Sequence, residues 1–142
     1  MRLALAEAAA ALATDDVLVG AVVLGSPGHR SDSAVAVLAA AHNEREARQD
    51  PTAHAELLAV RRAAEVTGSW RLDGLTVVAT LEPCPMCAGA IVLARVRRLV
   101  YGAADPKAGA VGSLWDVVRD PRASYIPEVI GGVLAAESAE LL

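Results

Sequence analysis

The chain has 142 residues, 54% of them hydrophobic and 21% charged, with no Phe. That is the length of one domain with a buried core, and the composition excludes a disordered or fibrous chain. A formal net charge of −4 argues against a strong non-specific nucleic-acid binder, which is normally basic, while leaving room for a local basic patch.

The chain opens with MRLALAEAAAALATDD. Arg2 and the alanine run have a superficial likeness to a secretory signal, but Glu7 interrupts the apolar region. The segment therefore reads as an amphipathic helix from about Arg2 to Ala13, and the chain as cytoplasmic. No apolar stretch reaches the roughly 18 residues of a membrane span. VLVGAVVL, Val17 to Leu24, is an apolar strand. Gly25 to Ser33 is turn chemistry, and AVAVLAAA from Ala34 is a second strand, so the pair forms a hairpin. A polar loop leads to Asp50-Pro51-Thr52, a helix start whose helical spacing runs to about Val66.

Leu75 to Leu81 is a strand. PCPMCAGAIVLARV follows as a helix that begins with two prolines, with Cys84 and Cys87 at its first turn. Then come a strand from Arg98 to Ala103, a short helix around Ser113 to Val118, a short strand in EVIGGVL and a helix in AAESAELL. There is no internal repeat or linker, so residues 1–142 read as a single domain. The alternation from Leu75 onward predicts an α/β fold with helices covering a mixed sheet.

His54 and Glu56 stand two positions apart in TAHAELLAV. Mid-helix neighbours two apart point to nearly opposite sides, because a helix turns about 100° per residue. At a first turn, both can instead reach past the helix end. Cys84 and Cys87, the only cysteines, make no disulfide framework. One His and two Cys form a three-ligand zinc set that leaves a fourth position for water. That is the catalytic form, whereas structural zinc is closed by four protein ligands. A helix N-terminus favours thiolates, and zinc lowers the pKa of its water from about 15.7 to about 7. Glu56 suits a proton shuttle, worth roughly 10²–10⁴-fold. A redox pair is the alternative for C-x-x-C, but a thioredoxin-like order around it is missing. Structural zinc is the other. The remaining histidines, His29 and His42, lie in polar loops, and His42 stays open as a closing ligand.

H-A-E at His54 to Glu56 together with P-C-P-M-C at Pro83 to Cys87 resembles the signature of the cytidine deaminase superfamily. VGAVV, HNEREARQDPTAHAELLAV, LEPCPMCAGAI and GSLWDVVRD are similar to bacterial tRNA-specific adenosine deaminases, and the resemblance runs from Asp16 to Leu142. It implies a three-layer α/β/α fold with a central mixed sheet of about five strands, a homodimer and one zinc per chain. His54, Cys84 and Cys87 match the zinc ligands and Glu56 the proton shuttle. Asn43 matches the asparagine that hydrogen-bonds the target base, Val17 and Val19 the apolar pocket walls, and the Ala55 N–H a donor into the pocket. Asp105 matches the acid near the substrate ribose and Lys107 a phosphate-facing lysine.

Departures from the family pattern fall away from the metal motifs. Leu18 stands where a proline is usual, Ala104 where an arginine is usual, and Ser124-Tyr125-Ile126-Pro127-Glu128-Val129 where relatives read NHRPEV. An aromatic, arginine-rich tail has no counterpart before Leu142. The resemblance therefore implies a zinc-dependent hydrolytic deaminase that replaces a ring amine with a carbonyl and releases ammonia. Because the departures fall on RNA-serving positions, a free base or nucleoside (amino-purine, pyrimidine or triazine-like) ranks first. Turnover is then expected to be nearly flat with salt. The wobble adenosine of a tRNA ranks second. A non-catalytic zinc-stabilised binding module ranks last, since Glu56 would be idle in it.

Overall fold

Five strands make one mixed sheet in the order β2-β1-β3-β4-β5, in a computed structural model that describes residues 1–26 and 35–142. β1 (Gly20–Leu24) pairs antiparallel with β2 (Val37–His42) and with β3 (Thr76–Leu81). β3, β4 (Arg98–Ala103) and β5 (Glu128–Ile130) run parallel. Parallel neighbours need a crossover, which α4 (Pro85–Leu93) supplies between β3 and β4. The expected hairpin is therefore present. Its turn and the strand start at Ala34 lie largely outside the described residues.

Strand alternation sends side chains to two faces. Ala21, Val23, Val77, Ala79 and Leu99 build the main core with α3 (Ala55–Thr67) and α4, whose Leu58, Ala59, Ala88 and Ile91 are buried against them. Val22 and Val78 face the other way and pack on Ala4 of α1 (Arg2–Ala8). α5 (Ala135–Ala139) covers β4. Helices thus lie on both faces of the sheet, the three layers that the resemblance implied.

The N-terminal alanine run is a packing surface. Ala4, Ala8 and Ala11 are fully buried, and the run continues past α1 as a 3-10 turn, Ala9–Thr14. The helix lies so close to β1 that a Cβ at Gly20 would stand 2.2 Å from the Ala4 carbonyl oxygen and 2.4 Å from the Ala8 nitrogen. Only glycine fits there.

Several boundaries differ from the sequence reading. β1 begins at Gly20 and not at Val17, because Val19 N–H turns back to the Val17 carbonyl while Asn43 N–H takes the Val19 carbonyl. α3 begins at Ala55, with His54 as its extended N-cap residue, and ends at Gly68 in the left-handed region, φ 66°. The polar loop before it holds a short helix, α2 (Arg45–Arg48). The helix expected around Ser113 to Val118 does not form. Backbone N–H groups of Val111 and Ser113 go to the Glu82 carboxylate, and those of Leu114 and Trp115 go to the Gly109 carbonyl. No helical ladder can use them.

α2 is held from a distance by Asp16, which is buried. Its carboxylate accepts from Glu46 N–H at 2.8 Å, Ala47 N–H at 3.2 Å and the Thr14 hydroxyl at 2.8 Å. Burial by itself would raise its pKa, but these bonds outweigh it and hold the group below the usual carboxylate range.

Two tests follow. Gly20→Ala forces backbone against backbone and should cost about 2–3 kcal/mol, lowering the thermal midpoint by about 5–10 °C. Asp16, with its folded-state pKa depressed, contributes stability fully above about pH 4 and loses it as pH falls through that lower value. The stability gap between the wild type and Asp16→Asn should be constant near neutrality and close below about pH 4. Urea denaturation of the two proteins side by side reads that gap and cancels any shared loss of metal in acid.

Candidate active site

α3 and α4 both start at the same end of the sheet, and each is opened by a residue with a soft donor side chain. His54 caps α3 with φ −73° and ψ 146°, and Cys84 caps α4 with φ −70° and ψ 171°. Pro85 follows at the first helical position, where a missing N–H costs nothing. Cys87, one turn along, is buried. His54 Nδ1 lies 3.7 Å from both sulfurs. The three donor atoms all fall within 4.8 Å of one another, and they are the one such His/Cys/Asp/Glu group among the described residues.

That spacing can be tested against a metal. Tetrahedral zinc with bonds of about 2.3 Å to sulfur and about 2.0–2.1 Å to nitrogen needs a sulfur–nitrogen edge of about 3.6 Å. The observed edges agree, and two thiolates with one imidazole suit zinc. His42 is not the fourth ligand, because its Nδ1 pairs with Glu7 at 3.0 Å. Among the described residues, which do not include His29, no fourth side chain closes the set, and zinc is the cofactor it fits.

Protons are shared unevenly among these donors. The Cys87 thiol contact, with help from His54 and against burial, brings Cys84 down to about 4. The same contact and burial push Cys87 up. His54 is raised by its contact with Cys84 despite burial. Glu56 is raised to about 7, chiefly by burial. It is 4% exposed and is not part of the donor cluster.

Beside the donors is a pocket of about 200 Å³ lined by Val17, Val19, Asn43, Arg45, His54 and Ala55, together with Glu56, Leu81, Glu82, Cys84, Asp105 and Ala108. Every pocket residue expected from the sequence is therefore brought together. Val17 is half-exposed and sits at the mouth, while Val19 is buried in the wall. Asn43 is buried, and its Oδ1 accepts from Arg45 N–H at 3.3 Å. The Ala55 N–H is a first-turn donor with no acceptor inside its helix. Asp105 closes its own turn by accepting from Lys107 and Ala108 N–H groups. Lys107 is exposed on that loop and does not line the pocket. Arg45, Leu81, Glu82 and Ala108 were assigned no role from the sequence, although the first three lie in stretches that carry the resemblance. Arg45 reaches the pocket only because α2 forms.

Comparison with known proteins completes the picture. A family profile described as MafB19-like deaminase matches residues 1–132. The tRNA-specific adenosine deaminase of Agrobacterium fabrum is 44% identical over 142 residues, covering 100% of this chain and 88% of that protein. The tRNA-specific adenosine deaminase of Bacillus subtilis is 48% identical over 106 residues, and the match spans 75% of this chain and 66% of the relative. A solved structure from a study of A-to-I editing by tRNA:A34 deaminases superposes with a TM-score of 0.90 at 44% identity, covering 100% of this chain and 97% of the other. A guanine deaminase from Bacillus subtilis superposes with a TM-score of 0.63 at 35% identity, over 72% and 61% of the two chains.

The purified wild type should carry one zinc per chain by metal analysis. Replacing His54, Cys84 or Cys87 with Ala should drop that content well below one and lower the thermal midpoint with it, since binding energy at such a site is also folding energy.

Proposed function

The chain belongs to the MafB19-like deaminase family, and from that membership we propose that it is a tRNA-specific adenosine deaminase that makes inosine at the wobble position of an anticodon. The full-length likeness to a tRNA:A34 deaminase, at a TM-score of 0.90, carries this reading. Likeness to guanine deaminases is looser: the Bacillus subtilis structure superposes at 0.63, and one from Nitrosomonas europaea covers 99% of this chain at a TM-score of 0.76 but at 27% identity. This reverses the ranking drawn from the departures in sequence. Ala104, read there as a lost RNA contact, is exposed and does not line the pocket, whereas Arg45 does.

Zinc held by His54, Cys84 and Cys87 would supply a Lewis acid that makes water a usable nucleophile near neutral pH. The remaining work falls to this chain's own residues. Net chemistry exchanges water's oxygen for the amine nitrogen at the ring carbon, and ammonia leaves. Glu56 takes a proton from the water and delivers one to the departing nitrogen. Asn43 and the Ala55 N–H orient the ring by hydrogen bonds, between the apolar walls of Val17 and Val19. Asp105 serves the ribose.

A pocket of about 200 Å³ holds one ring, so the neighbouring nucleotides lie on its rim. Arg45 meets them there with a guanidinium whose side chain is 42% exposed and whose nearest carboxylate, Glu46, is 3.9 Å away. Lys107, exposed on the Asp105 loop, meets a phosphate. Residues 1–142 act as one catalytic unit, in the cytoplasm; no helix among the described residues is long and apolar enough to cross a membrane. A homodimer fits the groove of about 420 Å³ along α4, where Val92, Leu93, Val117 and Ala123 present apolar surface.

Two measurements test the proposal. Glu56→Gln should keep its zinc and lose about 10²–10⁴-fold in turnover; near-normal turnover would assign proton transfer elsewhere. Inosine formation in an anticodon stem-loop should weaken steeply with salt, by about 0.7 log units per tenfold salt for each phosphate contact, and Arg45→Ala should remove about one such contact. Salt-insensitive turnover of a free base or nucleoside, with none on the stem-loop, would restore the small-molecule reading.

A further inference from the structure

Glu82 sits two residues before Cys84, at the end of β3, and takes no part in the chemistry described above. It is 1% exposed. Its N–H continues the pairing with β4 by donating to the Ala103 carbonyl at 2.8 Å, which leaves its carboxylate beneath the loop that follows β4. Asp105 N–H donates to Oε2 at 3.0 Å, and Val111 and Ser113 N–H groups donate to Oε1 at 2.9 and 3.0 Å. The Ser113 hydroxyl donates to Oε2 as well. A carboxylate offers about four acceptor sites, and here all are filled by one loop.

The fit is tight on the loop side too. A Cβ at Gly109 would stand 2.5 Å from Glu82 Cδ and 2.6 Å from the Asp105 carbonyl oxygen. Two residues of the same loop, Asp105 and Ala108, line the pocket.

We propose that Glu82 is a positioning residue for the substrate: its carboxylate sets the loop from Asp105 to Ser113, and through that loop the pocket wall made by Asp105 and Ala108. The proposal rests on the reading that this pocket receives the target nucleotide. Glu82 borders the pocket, but its carboxylate is taken up by the loop and it is not one of the metal donors. Its loss therefore acts on how the substrate is held and not on the exchange at the ring carbon.

Glu82→Gln keeps the length of the side chain but turns one acceptor oxygen into a donor, facing either the Asp105 N–H or those of Val111 and Ser113. Gly109→Ala leaves Glu82 intact and pushes the loop off it. For both variants the readouts are zinc content, hydrogen exchange of the loop amides, and separate KM and kcat on the anticodon stem-loop. Expected are one zinc per chain, faster exchange at Asp105, Val111 and Ser113, a KM raised about tenfold, as for one buried donor left unpaired, and kcat within about threefold of wild type. An unchanged KM, with or without faster exchange, overturns the proposal. So does a loss of zinc and kcat at constant KM, which would make Glu82 a support of the metal strand. Should Glu82→Gln fail to fold, Gly109→Ala decides by the same readouts. If the wild type does not act on the stem-loop, the substrate reading has failed. Glu82 is then judged by the same KM and kcat comparison on whichever nucleobase compound the wild type deaminates.

Discussion

His54 begins α3, Cys84 ends the extended chain leaving β3 and begins α4, and the separations of 3.7 Å between His54 Nδ1 and both sulfurs exist because those two helix starts meet at one end of the sheet. A helix N-terminus carries unpaired N–H groups and a partial positive charge. Two of them together make a place where thiolates are favoured and where the Ala55 N–H is free to face a ligand. The parallel pairing of β3 with β4 requires a crossover helix, and α4 is that helix. The topology of the sheet thus delivers Cys84 and Cys87 to the site, and a different strand order would separate them from His54.

Around that point the rim is built by buried carboxylates that do no chemistry of their own. Asp16 grips α2 by two backbone N–H groups, and Glu82 grips the loop after β4 by three. Loops carry many backbone donors that no ladder satisfies. An ionised carboxylate satisfies several at once, and hydrogen bonds to charged groups are the stronger kind. Such anchors are rigid enough to place Arg45 on one part of the rim and Asp105 on another.

Net charge is a poor guide to what such a rim binds. The chain carries an excess of acid, yet acids and bases alike are in part committed to one another. Glu44 holds Arg48 and Arg62, Glu128 holds Arg98, and Asp120 holds Arg122. Asp16 and Glu82 are spent on backbone. What a polyanion would meet at the pocket is local, and there Arg45 and Lys107 stand forward. Binding of a polyanion depends on the cations that reach its phosphates, because those release the counterions.

The metal donors were legible in the sequence because Cys84 and Cys87 are close along one helix start and His54 opens another; that the two starts meet was for the fold to decide. The strands were legible for a similar reason, since alternation and β-branched residues are local. Tertiary structure decided the rest. Asp16 meets Glu46 across 30 positions and Glu82 meets Val111 across 29, and no local pattern announces such contacts. They explain why α2 forms in what reads as a polar loop and why no helix forms around Ser113 to Val118. The same long-range contacts put Arg45 and Ala108 at the pocket, while Ala104, whose place in the family is usually an arginine's and so weighed against RNA in the sequence, sits exposed beyond the pocket lining. A side chain's chemistry is written in its residue type; which cavity it reaches depends on backbone donors captured from far along the chain.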